Sequence, residues 1–202
     1  NITTINIPNT VQKIGASAFA GCSSLKSIVI PFGVTSIDYN TFDGCSSLTS
    51  ITIPDTVTSI GSSAFEECTS LASVKLPKNL SSLGSYAFKG CVSLKSINIP
   101  ASVTSLEYRT FYGCTNLSTV VLNEGLESIG ANAFTSTNIT KLIIPKSVSR
   151  LDSEAFEAGY SYGSSAPDCT NVVFYCRSAT MPSGWASNWN LGRPVTWGYT
   201  GN

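Results

Sequence analysis

Phenylalanine recurs at Phe19, Phe42, Phe65, Phe88, Phe111, Phe134 and Phe156, in five steps of 23 residues and a last step of 22. Proline keeps the same beat at Pro8, Pro31, Pro54, Pro77, Pro100 and Pro145, with Asn123 in the remaining slot. Cysteine repeats it at Cys22, Cys45, Cys68, Cys91 and Cys114, and Thr137 takes the next place. Three registers of one period point away from an ordinary globular arrangement of the 202 residues and toward a stack of similar coils. One unit of this size has no closed core and becomes stable only when neighbours cover it.

A unit reads Leu25, Ile28, Ile30 and Pro31, then Val34 and Ile37, then Thr41, Phe42, Gly44 and Cys45. The alternation about Ile28 and Ile30 predicts a short strand with one buried face. Pro31 ends it, because proline removes a backbone donor. Strands are expected at Ile5, Ile28, Ile51, Val74, Ile97, Val120 and Leu142, and a degenerate one in Val172–Tyr175. The spacing of Ile37, Thr41, Phe42 and Cys45 predicts a short helical turn. Gly21, Gly44, Gly90 and Gly113 stand where such a turn ends in the left-handed conformation, with Glu67 as the exception.

The pattern of Leu48, Ile51, Ile53 and Pro54, followed by Ile60, Gly61, Ala64 and Phe65, resembles the BspA-like branch of the leucine-rich-repeat family. The resemblance runs over residues 2–176. It departs from the commoner leucine-rich pattern, whose asparagine position here holds Thr10, Gly33, Thr56, Asn79, Ser102, Gly125 and Ser147. With the periodicity it implies a leucine-rich-repeat solenoid, a superhelix that is mainly β and irregular. Each repeat would set one short strand on the concave face and a short helical turn elsewhere. The resemblance also implies a bacterial secreted or cell-surface protein engaged in adhesion, and it names no ligand. The expected organisation is a solenoid of about eight coils over 1–176, with an inserted loop near 158–168. An aromatic cap follows over 177–202.

Composition narrows the function classes. Lys+Arg and Asp+Glu each number 12, and the basic residues are scattered, so no stripe is available for nucleic acid. No apolar run approaches the ~20 residues of a membrane-crossing helix. Histidine is absent, which excludes nucleophile activation by His and His-containing zinc sites. No enzyme activity, cofactor or metal is expected. Residue 1 falls inside a repeat and no leader opens the chain, which predicts a piece of a longer protein. An unpaired first strand predicts end-to-end dimerisation of the isolated chain.

The 23-residue spacing stacks one thiol per coil, and a small buried hydrophobe is the expected role. Cys169 resumes the ladder after the insertion, and with Cys176 it forms the one candidate disulfide pair. Two solvent-facing columns form the candidate recognition face. One includes Ser27, Ser50, Ser73, Ser96, Thr119 and Lys141; the other includes Val29, Thr52, Lys75, Asn98, Val121 and Ile143. Neither carries Trp, Tyr or Arg over these positions, and the drift to Val121 and Ile143 makes the C-terminal end the more apolar. The insertion contributes a second candidate, a loop presenting Tyr160 and Tyr162. Trp185, Trp189 and Trp197 are expected to cap the last coil; the rival is a sugar-stacking platform. Asp152, Glu154 and Glu157 are expected to be solvated acids rather than a glycosidase pair. The function these features support is a non-enzymatic surface or secreted module that binds protein or glycan. A structural spacer and a glycan module built on the tryptophans are the alternatives.

Overall fold

In a computed structural model of the chain, residues 2–157 and 171–201 are described. Tyr160, Tyr162 and Cys169 lie outside them. The chain winds into a solenoid in which each residue meets its equivalent one period later. Two parallel ladders run along it. In chain order, the first comprises β1 (Ser27–Val29), β3 (Ser50–Thr52), β6 (Ser96–Ile99), β8 (Thr119–Leu122), β10 (Lys141–Ile144), β12 (Val173–Cys176) and β13 (Val195–Trp197). The second comprises β2 (Ser36–Ile37), β4 (Ser59–Ile60), β5 (Ser82–Leu83), β7 (Ser105–Leu106), β9 (Ser128–Ile129) and β11 (Arg150–Leu151). Register follows the period, as in Ile28↔Ile51 and Ile37↔Ile60. A repeat therefore carries two strand passages where one was expected. The second escapes alternation because it is two residues long.

The helical turn expected before each phenylalanine is not formed, and no α-helix occurs among the described residues. Two left-handed residues per coil prevent it. The first column is Ser17, Asn40, Ser63, Tyr86, Arg109 and Asn132, with φ between 55° and 60°. The second is Gly21, Gly44, Glu67, Gly90, Gly113 and Ser136, so Glu67 takes the conformation that its neighbours reach as glycine. Alternate amides thereby point along the stack. Asn40, Phe42 and Gly44 donate N–H bonds of 3.0, 2.8 and 2.8 Å to the next coil's Ser62, Ala64 and Glu66 carbonyls. The intervening Asp43 amide bonds within its own coil, to the Asn40 carbonyl at 3.1 Å, and the Cys45 amide that follows bonds to that of Phe42 at 3.1 Å. A helix would have spent all of these donors inside one coil.

Inside this turn ladder the phenylalanines form one column. From Phe19 to Phe156 successive rings lie 5.1 to 5.7 Å apart and within 10° of parallel. The stack ends on Phe174, Trp189 and Trp185 in tilted and edge-on contacts of 4.7 to 4.8 Å. Both tryptophans are buried, and Trp185 Nε1 donates to the Val148 carbonyl at 3.0 Å. The tail also prolongs both ladders, through β13 on β12 and through the Leu151↔Trp185 bridge. It closes the stack as a further coil, with Trp185 and Trp189 buried and Trp197 half-buried.

The first ladder is not continuous. Ser73–Leu76, where a strand was expected about Val74, is not one. Among the described residues no backbone hydrogen bond joins it to β3 or β6. A second seam separates β8 from β10, again with no backbone hydrogen bond across it. Beside the first seam Ile51, Ile53 and Val74 are only partly buried, although their counterparts Ile28, Ile30 and Ile97 are buried. The turn ladder and the phenylalanine column run unbroken past both seams. The spine of the solenoid is thus the turn side, and the strand face is divided into three short sheets.

Candidate functional site

Every residue of the two expected columns falls on the strand face, exposed except for half-buried Ile143. Their partners point inward, as the e-B-e-B pattern of β6 and β8 records. The columns also reach one coil further than the periodicity indicated. Register pairs Lys141 with Val173 and Ile143 with Tyr175, so an aromatic residue does occupy the second column. The insertion displaced it from the 23-residue count. The remaining signal was local, in the alternation of Val173 and Tyr175 with buried Phe174 and Cys176.

Three grooves open on this face among the described residues; a small one of about 250 Å³ lies by Asn6 and Val29, and the two larger ones each lie at a seam. One, of about 650 Å³, surrounds Ser73–Leu76 and extends to Asp55, Lys78, Asn98 and Val121. The other, of about 560 Å³, lies between β8 and β10 and is lined by Thr119, Val121, Asn123, Lys141, Ile143 and Arg177. Thr119 and Val121 border both. Val121, at 46% exposure, is the apolar step between them. The Lys141 ammonium stands 5.0 Å from the Tyr175 ring centre and 5.7 Å from that of Tyr199, which itself packs on Tyr175 at 4.7 Å. A cation over ring faces is attracted by them and held in place.

Acids beside the grooves are engaged by the backbone. Glu124 accepts the Lys146 and Ser147 amides at 3.2 Å each and lies 3.9 Å from Arg177 Nη1. Asp55 accepts the Lys78 amide at 3.0 Å, and that bond leads the contacts that hold its carboxyl below the ordinary range. Lys75, Lys78, Lys141 and Arg177 against Asp55 and Glu124 leave a small positive excess about the grooves within a neutral chain. On the turn edge a different cluster forms, with Arg109 held 4.9 and 4.8 Å from the rings of Tyr108 and Tyr112.

The remaining candidates have structural work. The four ladder thiols from Cys45 to Cys114 each donate to the phenylalanine carbonyl of the preceding coil, as Cys45 does to Phe19 and Cys91 to Phe65 at 3.1 Å. Burial pushes Cys45 and Cys176 up to about 12, and Cys68, Cys91 and Cys114 also upward. Burial thus disfavours the thiolate form that a nucleophile needs. Cys176 is a buried free thiol. Asp152 accepts the Glu154 amide at 2.9 Å, and Glu154 accepts from Asn132 at 3.1 Å, so two of the three acids brace a turn. Among the described residues no three His, Cys, Asp or Glu side chains converge on a metal position. No helix there is long and apolar enough to cross a membrane.

A family model described as the BspA type leucine rich repeat region matches in six copies, over residues 1–52 and 35–162. The chain belongs to this family. Among solved structures it is similar to a leucine rich cell surface protein of Faecalibacterium prausnitzii A2-165, with 30% identity and a TM-score of 0.79 over 93% of this chain and 50% of that one. A leucine-rich repeat protein of Eubacterium ventriosum is 31% identical, with a TM-score of 0.71 over 84% of this chain and 47% of that one. The pneumococcal vaccine antigen PcpA shares the fold at 18% identity and a TM-score of 0.56, over 98% of this chain and 42% of its own. The chain thus spans about half the length of these relatives or less. No curated protein matches it in sequence. The BspA-type repeat accounts for the solenoid and for the kinship with bacterial surface proteins.

Proposed function

We propose that this chain is a non-catalytic recognition module of a bacterial cell-surface or secreted protein, acting outside the cell through its strand face. The observation that carries the reading is the coincidence of both larger grooves with the seams. There, unpaired backbone groups, Val121 and Ile143, and the cations Lys75, Lys141 and Arg177 face one surface. Buried polar groups left without partners are costly, so a face with exposed unpaired ones is suited to exchanging water for a ligand. The inward groups have packing or backbone roles, and burial raises the Cys45, Cys68, Cys91, Cys114 and Cys176 thiols away from their reactive form.

A spacer is the second reading, favoured by the unbroken phenylalanine column and by relatives twice as long. The test is a binding screen of the chain against immobilised extracellular-matrix proteins and glycans. Val121→Asn/Ile143→Asn and Tyr160→Ala/Tyr162→Ala variants run beside it. Binding lost in the first variant and kept in the second supports the strand face. Binding lost only in the second moves recognition to the insertion, and silence throughout favours the spacer.

A further inference from the structure

The seam between β8 and β10 has a chemistry of its own. Its groove of about 560 Å³ is within the range of small-ligand sites. Two cations border it: Arg177, which stands near Glu124, and the ring-held Lys141, whose register partner Val173 lies four residues before Arg177. Its wall is apolar at Val121 and Ile143, and its rim offers Thr119, Asn123 and Thr140. Asn123 is oriented by its own bonds, its amide donating to Asn98 Oδ1 at 2.8 Å and to the Ile99 carbonyl at 2.6 Å. Its carbonyl oxygen is left as an acceptor for a ligand donor.

An extended peptide strand does not fit between the flanking strands. Cα atoms of β8 and β10 still approach within 8 Å, whereas inserting a strand requires roughly 9.6 Å, twice the spacing of paired strands. The occupant enters from outside and meets unpaired N–H and C=O groups, two cations, a small apolar wall and an amide rim. A carboxylate needs a cation, with the planar guanidinium suited to grip it by two bonds. An acylamino group needs an apolar contact for its methyl and an acceptor for its N–H. Ring hydroxyls need the seam's backbone groups.

We propose that this groove binds a carboxylated, N-acylated sugar at the end of a glycan, a residue of the sialic-acid type. Arg177 takes the carboxylate, Val121 and Ile143 the acyl methyl, and Asn123 with the seam backbone the amide and hydroxyls. Glu124, 3.9 Å from Arg177, opposes the carboxylate and weakens binding. This assignment rests on the strand face being the recognition surface, and it names the ligand class that the face takes.

The test uses the full chain and four probes: 3′-sialyllactose, lactose, a glucuronate-terminated disaccharide without an acyl group, and an oligoglutamate peptide. Saturation-transfer NMR and titration are the readouts. The expected result is binding of sialyllactose alone, weakened at least tenfold in Arg177→Ala, partly restored in Arg177→Lys and strengthened severalfold in Glu124→Gln. All three substitutions are of exposed side chains, and circular dichroism checks that the fold is kept. Equal binding of the glucuronate or the peptide overturns the assignment, as does sialyllactose binding that Arg177→Ala leaves unchanged. If matrix proteins bind and Val121→Asn/Ile143→Asn abolishes it while no sugar binds, the ligand class fails and the strand-face reading stands. If no probe, protein or glycan binds, both fail.

Discussion

The turn ladder depends on residues that accept a positive φ, and Glu67 is, with Ser136, one of two strained members of its column. Glu67 stands at φ 55° where Gly44 and Gly90 stand at 69° and 72°. A left-handed non-glycine residue costs roughly 1–2 kcal/mol. Its carboxylate also lies against Gly90, where any Cβ would collide with it. Glu67→Gly is therefore expected to stabilise the fold by about 1 kcal/mol, read from urea unfolding; an equal loss would contradict the strain. Partial desolvation raises the Glu67 carboxyl above its ordinary value of 4.5, with Lys89 pulling against it and Glu66 and Asp43 adding repulsion. A raised carboxyl stabilises the fold when protonated, and that contribution is lost as pH rises through its folded value. Glu67→Gln should accordingly change little below pH 4.5 and raise the melting temperature increasingly above it. At this scale the sequence was partly legible. The phenylalanine, cysteine and glycine columns announced themselves by identity. The column Ser17, Asn40, Ser63, Tyr86, Arg109 and Asn132 did not, because a backbone conformation shared by unlike side chains leaves no compositional trace.

Among elements, the ladder positions followed from alternation, but their continuity did not. Val74 keeps the spacing of Ile51 and Ile97, yet Ser73–Leu76 is unpaired on both sides. Nothing in the register marks that seam. The second seam does follow a change in spacing, since Thr137 leads to Leu142 by one residue fewer than Cys114 to Val120. The two-residue strands of the second ladder were hidden because alternation needs more than two positions to be read. Unpaired amides exchange with solvent far faster than laddered ones. Hydrogen exchange is expected to label Ser73–Leu76 well before Ile97–Ile99, despite the equivalent position of both segments. Equal protection would mean that the first ladder is continuous and that no seam underlies the larger groove.

For the whole molecule, stability is a sum of coil interfaces, and the terminal coil needs a cover of a different kind. Trp189 supplies it, buried to 1% against Phe156, Phe174 and Trp185. Trp189→Ala should cost about 3–5 kcal/mol and loosen β12 and β13 first, seen as early exchange in 173–176. Uniform loss across all coils would instead indicate a single cooperative unit with no special cap. The aromatic tail was recognisable as a cap from its composition, whereas its continuation of both ladders depended on pairings that the insertion concealed. Recognition by the strand face is the central claim, and its most direct test is a hydrogen-exchange footprint with whichever panel component the chain binds. The account predicts new protection in 119–123, 140–143 and 175–177. Protection confined to the turn edge about Tyr108, Arg109 and Tyr112, with the strand face unchanged, would contradict it.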